Sequence, residues 1–242
     1  MKKLVFYILL AIWSAMPAVV FAQENKWQDE AELSYVNTSG NTDVLSLSAK
    51  NKLTYQFSDR LSGLWDVRAL YGKTDGDKNA ERYATEIRLD YGLTERVYIA
   101  GIGGWLQDEF AGIDERLYLG PALGYKFIIG PKHFFSAEAG LEYVIENYTN
   151  NSDDDFIRGR ALGLYEFLLS EKSKVTQSIE YLYDFDNSDN YNINAVTALI
   201  TSLSDTFSIK TSYEIHYDNE PVPDSLDETD TILSVALVVN MK

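Results

Sequence analysis

The sequence predicts an all-β fold: a transmembrane, antiparallel, up-and-down β-barrel of about 12 strands with both termini periplasmic. Three observations predict it. From Trp27 onward, apolar and polar residues alternate with a period of two, the pattern of a sheet with one apolar and one polar face. The alternating segments run to about 11–16 residues, whereas globular strands average about 5 or 6 and a tilted strand needs about 9–11 to cross a bilayer. Aromatic residues collect near both ends of the apolar face. One level holds Trp27, Phe57, Tyr91, Phe127, Phe135, Phe167 and Phe207; the other holds Tyr35, Tyr71, Tyr83, Trp105, Tyr143, Tyr183, Tyr191 and Tyr217. Such rings settle at headgroup depth, and a soluble sandwich has no reason for two belts of them.

The first predicted strand, Trp27 to Asn37, sets Trp27, Ala31, Leu33 and Tyr35 on one face and ends before a turn at Gly40-Asn41. The second, Val44 to Ser58, opposes Leu45, Leu47, Leu53 and Tyr55 to Ser46, Ser48, Lys50 and Lys52, and Asp59-Arg60 turns the chain. Leu61 to Thr74 alternates Trp65, Val67 and Tyr71 against Asp66 and Arg68; a loop over Asp75–Asn79 leads to Ala80–Leu93, with Arg82, Glu86, Arg88 and Asp90 on its polar face. Val97–Glu109 and Ile113–Ile128 form a hairpin about Ala111-Gly112. After Gly130-Pro131-Lys132, the segment His133–Asn147 carries Glu138, Glu142 and Glu146 at alternate positions. An acidic loop over Tyr148–Asp154 precedes Asp155–Leu169, which carries Arg158 and Arg160. Lys174–Phe185, Asn190–Leu203, Thr206–Asp218 and Glu228–Met241 complete the set. The connections at Asp59, Glu95, Pro131, Lys172 and Ser204 are mostly tight and the others mostly longer and acidic, the asymmetry of outer-membrane barrels.

The 242 residues suit one domain. Lys2-Lys3, the apolar run Leu4–Trp13 and the site Val20-Phe21-Ala22 read as a cleaved signal peptide over residues 1–22, leaving a barrel domain over 23–242. The net charge of −16, with no basic stripe, excludes a nucleic-acid partner. No cysteine is present, so disulfides and thiolate metal sites are excluded.

The polar face becomes the lumen once the sheet closes, and closure is required because every backbone amide in hydrocarbon needs a partner. Parity places Asp108, Arg116, Glu142, Glu146, Arg158, Asp184 and Asp230 inward, and predicts a charge network in which Asp108 and Arg116 join Glu142, Glu146 and Arg158. Charges of both signs either set the selectivity of a pore or pair across the bore and plug it. Bulky inward residues, among them Tyr98, Ile102, Tyr118, Leu162 and Leu182, favour a narrow or partly filled barrel. His216 has Glu214 and Asp218 on its own face; His216 with Asp218 is the candidate pair for activating water, without a Gly-x-Ser-x-Gly elbow to accompany it. Asp153, Asp154 and Asp155 are the candidates for divalent cations that would bridge to lipopolysaccharide, against the alternative of plain solvated charge. No cofactor is expected. The oligomeric state is not readable, because lipid-facing and partner-facing apolar residues look alike.

An ordered set of motifs resembles the domain-of-unknown-function-481 family, often labelled salt-induced outer membrane proteins. It runs from Gly40-Asn41-Thr42 through Asp108-Glu-Phe-Ala-Gly-Ile-Asp-Glu-Arg116, Gly120 and Gly124-Tyr125. Glu138-Ala-Gly140, Glu146, Arg158, Tyr217-Asp218, Pro221 and Thr229-Asp230 complete it. The resemblance implies a β-barrel in a Gram-negative outer membrane, with outer-membrane lipid and lipopolysaccharide as its surroundings, and implies no activity. The expected role is envelope structure or passage of small solutes or ions. The alternatives are a periplasmic or surface binding module outside the membrane, and an outer-membrane hydrolase at His216.

Overall fold

The computed structural model describes residues 26–38, 44–222 and 225–241. The expected signal peptide and the Gly40-Asn41-Thr42 motif lie outside them. Twelve strands follow one another: β1 (Trp27–Thr38), β2 (Val44–Gln56), β3 (Leu61–Thr74), β4 (Asp77–Gly92), β5 (Val97–Asp108), β6 (Ile113–Ile129), β7 (His133–Tyr148), β8 (Asp153–Leu168), β9 (Ser173–Asp184), β10 (Tyr191–Ser202), β11 (Phe207–Asp218) and β12 (Thr229–Met241). Each pairs antiparallel with its chain neighbours, and β1 pairs with β12 to close the barrel. Among the described residues there is no α-helix; one turn of 3-10 helix, Glu109–Ala111, caps the β5–β6 hairpin. Five tight turns and the two outermost strand ends mark what we call the turn end. The other connections mark the loop end.

Away from the register shifts at the ends of β3, β5 and β6, cross-strand pairs match even-numbered with even-numbered residues, as in Glu32 with Lys50, Ala100 with Ala122, and His216 with Asn194. The even positions face inward: Ile102, Val144, Leu182 and Val238 are buried. The odd positions face outward, where Leu119 is 69% and Leu233 73% exposed. A soluble protein would pay for such a surface, whereas lipid tails accept it. The aromatic belts are contiguous at both ends. Phe127 stacks on Phe135 and His133 on Phe167 at the turn end, and Tyr191 joins Tyr181 to Tyr217 at the loop end.

Two expected loops are shorter than predicted. β4 begins at Asp77 because Thr74 pairs with Asp77, which reduces the Asp75–Asn79 loop to the two-residue turn Asp75-Gly76, with φ of 53° and 92°. Two successive positive φ values give the twist that suits a tight hairpin, and Asp and Gly are the residues that adopt them most readily. β8 begins at Asp153 because Asn147 pairs with Asp153. In both places polar composition suggests a loop where the ladder continues into solvent beyond the apolar band. The seam is the weakest join: Asp29–Leu33 pairs with Leu237–Met241, whereas β1 pairs with β2 from Trp27 to Thr38.

Candidate functional site: the barrel lumen

Alternation delivers the inward charges, and the stagger of the strands decides which of them meet. On β7, Glu138 is 2% exposed. It receives both outer nitrogens of the β4 residue Arg88, at 2.9 and 2.7 Å, and the Arg160 Nη1 of β8 at 3.3 Å. Tyr98 Oη donates to it at 2.7 Å. Arg88 also holds Asp90 at 2.6 Å, and Arg160 holds Glu180 at 2.6 Å. Because β4 and β7 are not adjacent, the Arg88–Glu138 pair is a bar across a chord of the bore. A second tier lies nearer the loop end. Arg158 donates to Glu142 at 2.8 Å and sits 5.2 Å from the centroid of the Tyr118 ring, whose hydroxyl donates to Glu86 at 2.8 Å. Arg116 pairs with Glu146, and Arg82 lies 3.6 Å from Asp108. A third group crosses the inside of the seam: Lys50 of β2 pairs with Glu214 of β11, and Lys210 of β11 donates to Glu32 of β1 at 2.5 Å. These charges are deeply placed and tolerable only because they are paired.

Two tyrosines lie flat against the wall because glycines make room. Gly104 stands opposite Tyr118, and Gly124 opposite Tyr98, in the β5–β6 register. A Cβ at Gly104 would come within 2.3 Å of the Tyr118 ring, and one at Gly124 within 2.1 Å of the Tyr98 ring. Gly124→Leu is therefore expected to drive Tyr98 off Glu138 into the bore, at a cost of about 1–3 kcal/mol from overpacking. The temperature at which the folded band is lost in detergent gels would fall, and unchanged mobility at every temperature would contradict it.

Two chambers occupy the bore. The turn-end chamber has a volume of about 980 Å³ and the loop-end chamber about 330 Å³. They share five lining residues, Arg68, Glu86, Arg160, Leu162 and Leu164, where the two meet. Nine carboxylates and five guanidinium groups line the loop-end chamber, whereas acids and bases balance at six each in the other. The loop-end chamber is thus the electronegative one. Its mouth is crossed by the segment that follows β11. Val222 and Leu226 lie against Gly112, which belongs to the β5–β6 turn on the opposite side of the barrel. Gly112 has φ 74°, and a Cβ there would strike the Val222 carbonyl oxygen at 1.7 Å. Only glycine fits that turn and that contact together.

The expected network is redistributed. Arg116 meets Glu146 and Arg158 meets Glu142. Asp108 and Arg116 do not pair with each other: Asp108 caps its own turn, accepting from the Ala111 N–H at 3.2 Å, and faces Arg82. Asp184 closes the loop after β9, accepting from the Asp186 N–H at 2.8 Å and Asn190 Nδ2 at 3.0 Å. Asp230 is exposed on β12 and lines the loop-end chamber without a salt bridge among the described residues. The proposed water-activating pair does not form. His216 Nδ1 is 2.8 Å from Asn194 Oδ1, and Asp218 instead accepts from the Glu220 N–H at 3.1 Å. Among the described residues, no group of three His or carboxylate side chains could hold a metal ion. Asp153, Asp154 and Asp155 alternate faces along one strand, and Asp155 accepts from Tyr143 Oη at 2.7 Å. The central acceptor Glu138, together with Glu180 and the Lys50–Glu214 bridge, was not among the expected network; even parity plus charge is the signal that marks all of them.

Residues 31–241 match the family described as "Protein of unknown function, DUF481". The chain belongs to that family. It is 28% identical over 207 residues to the uncharacterized protein YdiY of Escherichia coli (strain K12), covering 86% of this chain and 80% of that one. Two solved structures share the fold. An outer membrane channel from Pseudomonas putida F1 is 11% identical with a TM-score of 0.57, covering 94% of this chain and all of that one. The NanC porin is 6% identical with a TM-score of 0.54, covering 88% of this chain and 97% of that one. At such identities the likeness is one of fold.

Proposed function

We propose that the protein is an outer-membrane barrel whose lumen is a narrow, cation-preferring passage for small hydrophilic solutes or ions. The observation that carries this reading is the pair of chambers, one from each end, meeting at two arginines, Arg68 and Arg160, with Glu86, Leu162 and Leu164. The electronegative loop-end chamber supplies the preference, because fixed charge in a pore selects its counter-ion. The porin and channel named above support it through their shared architecture. Purified protein in planar bilayers is expected to give small single-channel conductance with a reversal potential displaced toward the cation. Absence of conductance over a range of salts would leave the second reading, a plug: the Arg88–Glu138 bar crosses the bore where a freely conducting pore would be empty. Outer-membrane fractionation separates both from a soluble binding module. A hydrolase reading lacks support in the geometry, since the nearest partner of His216 is an amide.

Asp218→Asn together with Asp230→Asn removes two inward carboxylates that, among the described residues, no basic side chain neutralises at salt-bridge distance. The double variant is expected to lose much of the cation preference with little change in conductance. An unchanged reversal potential would place the selectivity elsewhere.

A further inference from the structure

We propose that the barrel opens sideways between β1 and β12 on its loop side, and that a membrane amphiphile occupies this opening with its polar head in the lumen and its acyl chain in the bilayer. The inference goes beyond end-to-end passage and does not depend on it. The closing ladder stops at Leu33 and Leu237. Beyond it, Ser34–Thr38 of β1 remains paired to β2, and Thr229–Ala236 of β12 is paired to β11 but for its last-strand edge, so each strand keeps one bonded side and one free side. In an antiparallel ladder alternate residues turn their N–H and C=O groups to the same side, so both free edges carry unmet donors and acceptors. Tyr35 sets the β1 edge at headgroup depth, while the exposed Leu233 and Val235 set the β12 edge against hydrocarbon, which cannot satisfy those groups. Something polar must stand in the gap.

The two rims differ in the way an amphiphile requires. The inner rim carries hydroxyls, from Ser34 on β1 and Ser234 on β12, with Ser46 and Ser48 of β2 behind them. Asp230 belongs both to the free stretch of β12 and to the lining of the loop-end chamber. The outer rim carries Leu33, Tyr35, Leu233 and Val235, all exposed. A peptide strand is a poorer occupant. β1 and β12 are antiparallel to one another, so an inserted strand would run parallel to one of them and lose the regular antiparallel ladder on that side. Below the gap the seam is held: the paired residues Asp29–Leu33 and Leu237–Met241 are backed inside by the Lys210–Glu32 and Lys50–Glu214 bridges.

The absence of cysteine from the chain makes a single-thiol test direct. Ser234→Cys places a thiol on the inner rim of the gap. Ser178→Cys places one on the closed wall of β9, lining the loop-end chamber. Each variant would be folded into vesicles of phospholipid with lipopolysaccharide, verified by heat-modifiable mobility, labelled with a benzophenone maleimide and irradiated. Covalent lipid adducts are expected at position 234 and not at 178. Lipid adducts at neither position would overturn the proposal, as would a cross-linked protein dimer at 234, which would show that a second copy covers the edge. Val36→Cys with Ser234→Cys supplies an independent reading, because continuing the register would set these two residues opposite one another. Free thiols in the protein as purified are expected. Complete disulfide formation without added oxidant would show a closed seam and overturn the proposal.

Discussion

Glu138→Ala is expected to destabilise the folded barrel by about 3–5 kcal/mol, the typical cost of leaving a buried charge without its partner. The size of the effect follows from the number of groups that converge on this carboxylate. Arg88 reaches it with two nitrogens, Arg160 with one, and Tyr98 with its hydroxyl. Removing it leaves two guanidinium groups facing each other across the bore, with Asp90 and Glu180 as their remaining partners. Unfolding in urea, followed by the loss of heat-modifiable mobility, measures the cost. Glu138→Gln keeps the shape and an acceptor for Tyr98 and is expected to lose less. If Glu138→Ala unfolds at the same urea concentration as the parent, the bars are not structural.

Arg160→Ala is expected to raise single-channel conductance several-fold and to sharpen the preference for cations. Arg160 is the one basic residue that both lines the meeting of the two chambers and touches three acids, Glu138, Glu142 and Glu180. Its removal opens space where the two chambers meet and strips compensation from those carboxylates, whose fixed charge then acts on a passing ion. Arg160→Met tests the two effects separately, because it restores bulk without charge: conductance should return toward the parent while the stronger cation preference remains. A fall in conductance in Arg160→Ala would mean that the bore collapses around the vacancy.

Most of the wall was legible in the sequence because a strand has only two faces. Once Leu117, Leu119 and Leu123 are outward, Arg116, Tyr118 and Gly124 must be inward, and the same parity runs along most of the wall, broken only near register shifts such as those at Ile113 and Ile128. Height and partner are harder to read. Glu138 meets Arg88 only because of how far β4 and β7 are staggered around the barrel, a quantity set by shear and invisible in local alternation. The pairing of His216 with Asn194 was within reach, because the turn at Ser204-Asp205 fixes that register. Asp108 shows a different limit. An acid just before a tight turn is as well placed to cap the turn as to meet a cation, and the backbone N–H of Ala111 lies nearest. The open half of the seam has no signature in residue pattern, since β1 and β12 alternate on both sides of the point where their ladder stops.

Lys50 and Lys210 both reach over β12 to find their acids, and the inward residues beneath them, Ala236 and Val238, are short and buried. β12 is therefore roofed by side chains anchored on β11 and β2. For β12 to reach its place, both lysines must swing aside and then return. The two bridges thus form a latch over β12, expected to slow its departure more than its arrival. Lys50→Met with Lys210→Met is expected to leave refolding into vesicles at its parental rate while speeding the first loss of protease protection at the C-terminal strand; slowed refolding with unchanged release would reverse that order of events.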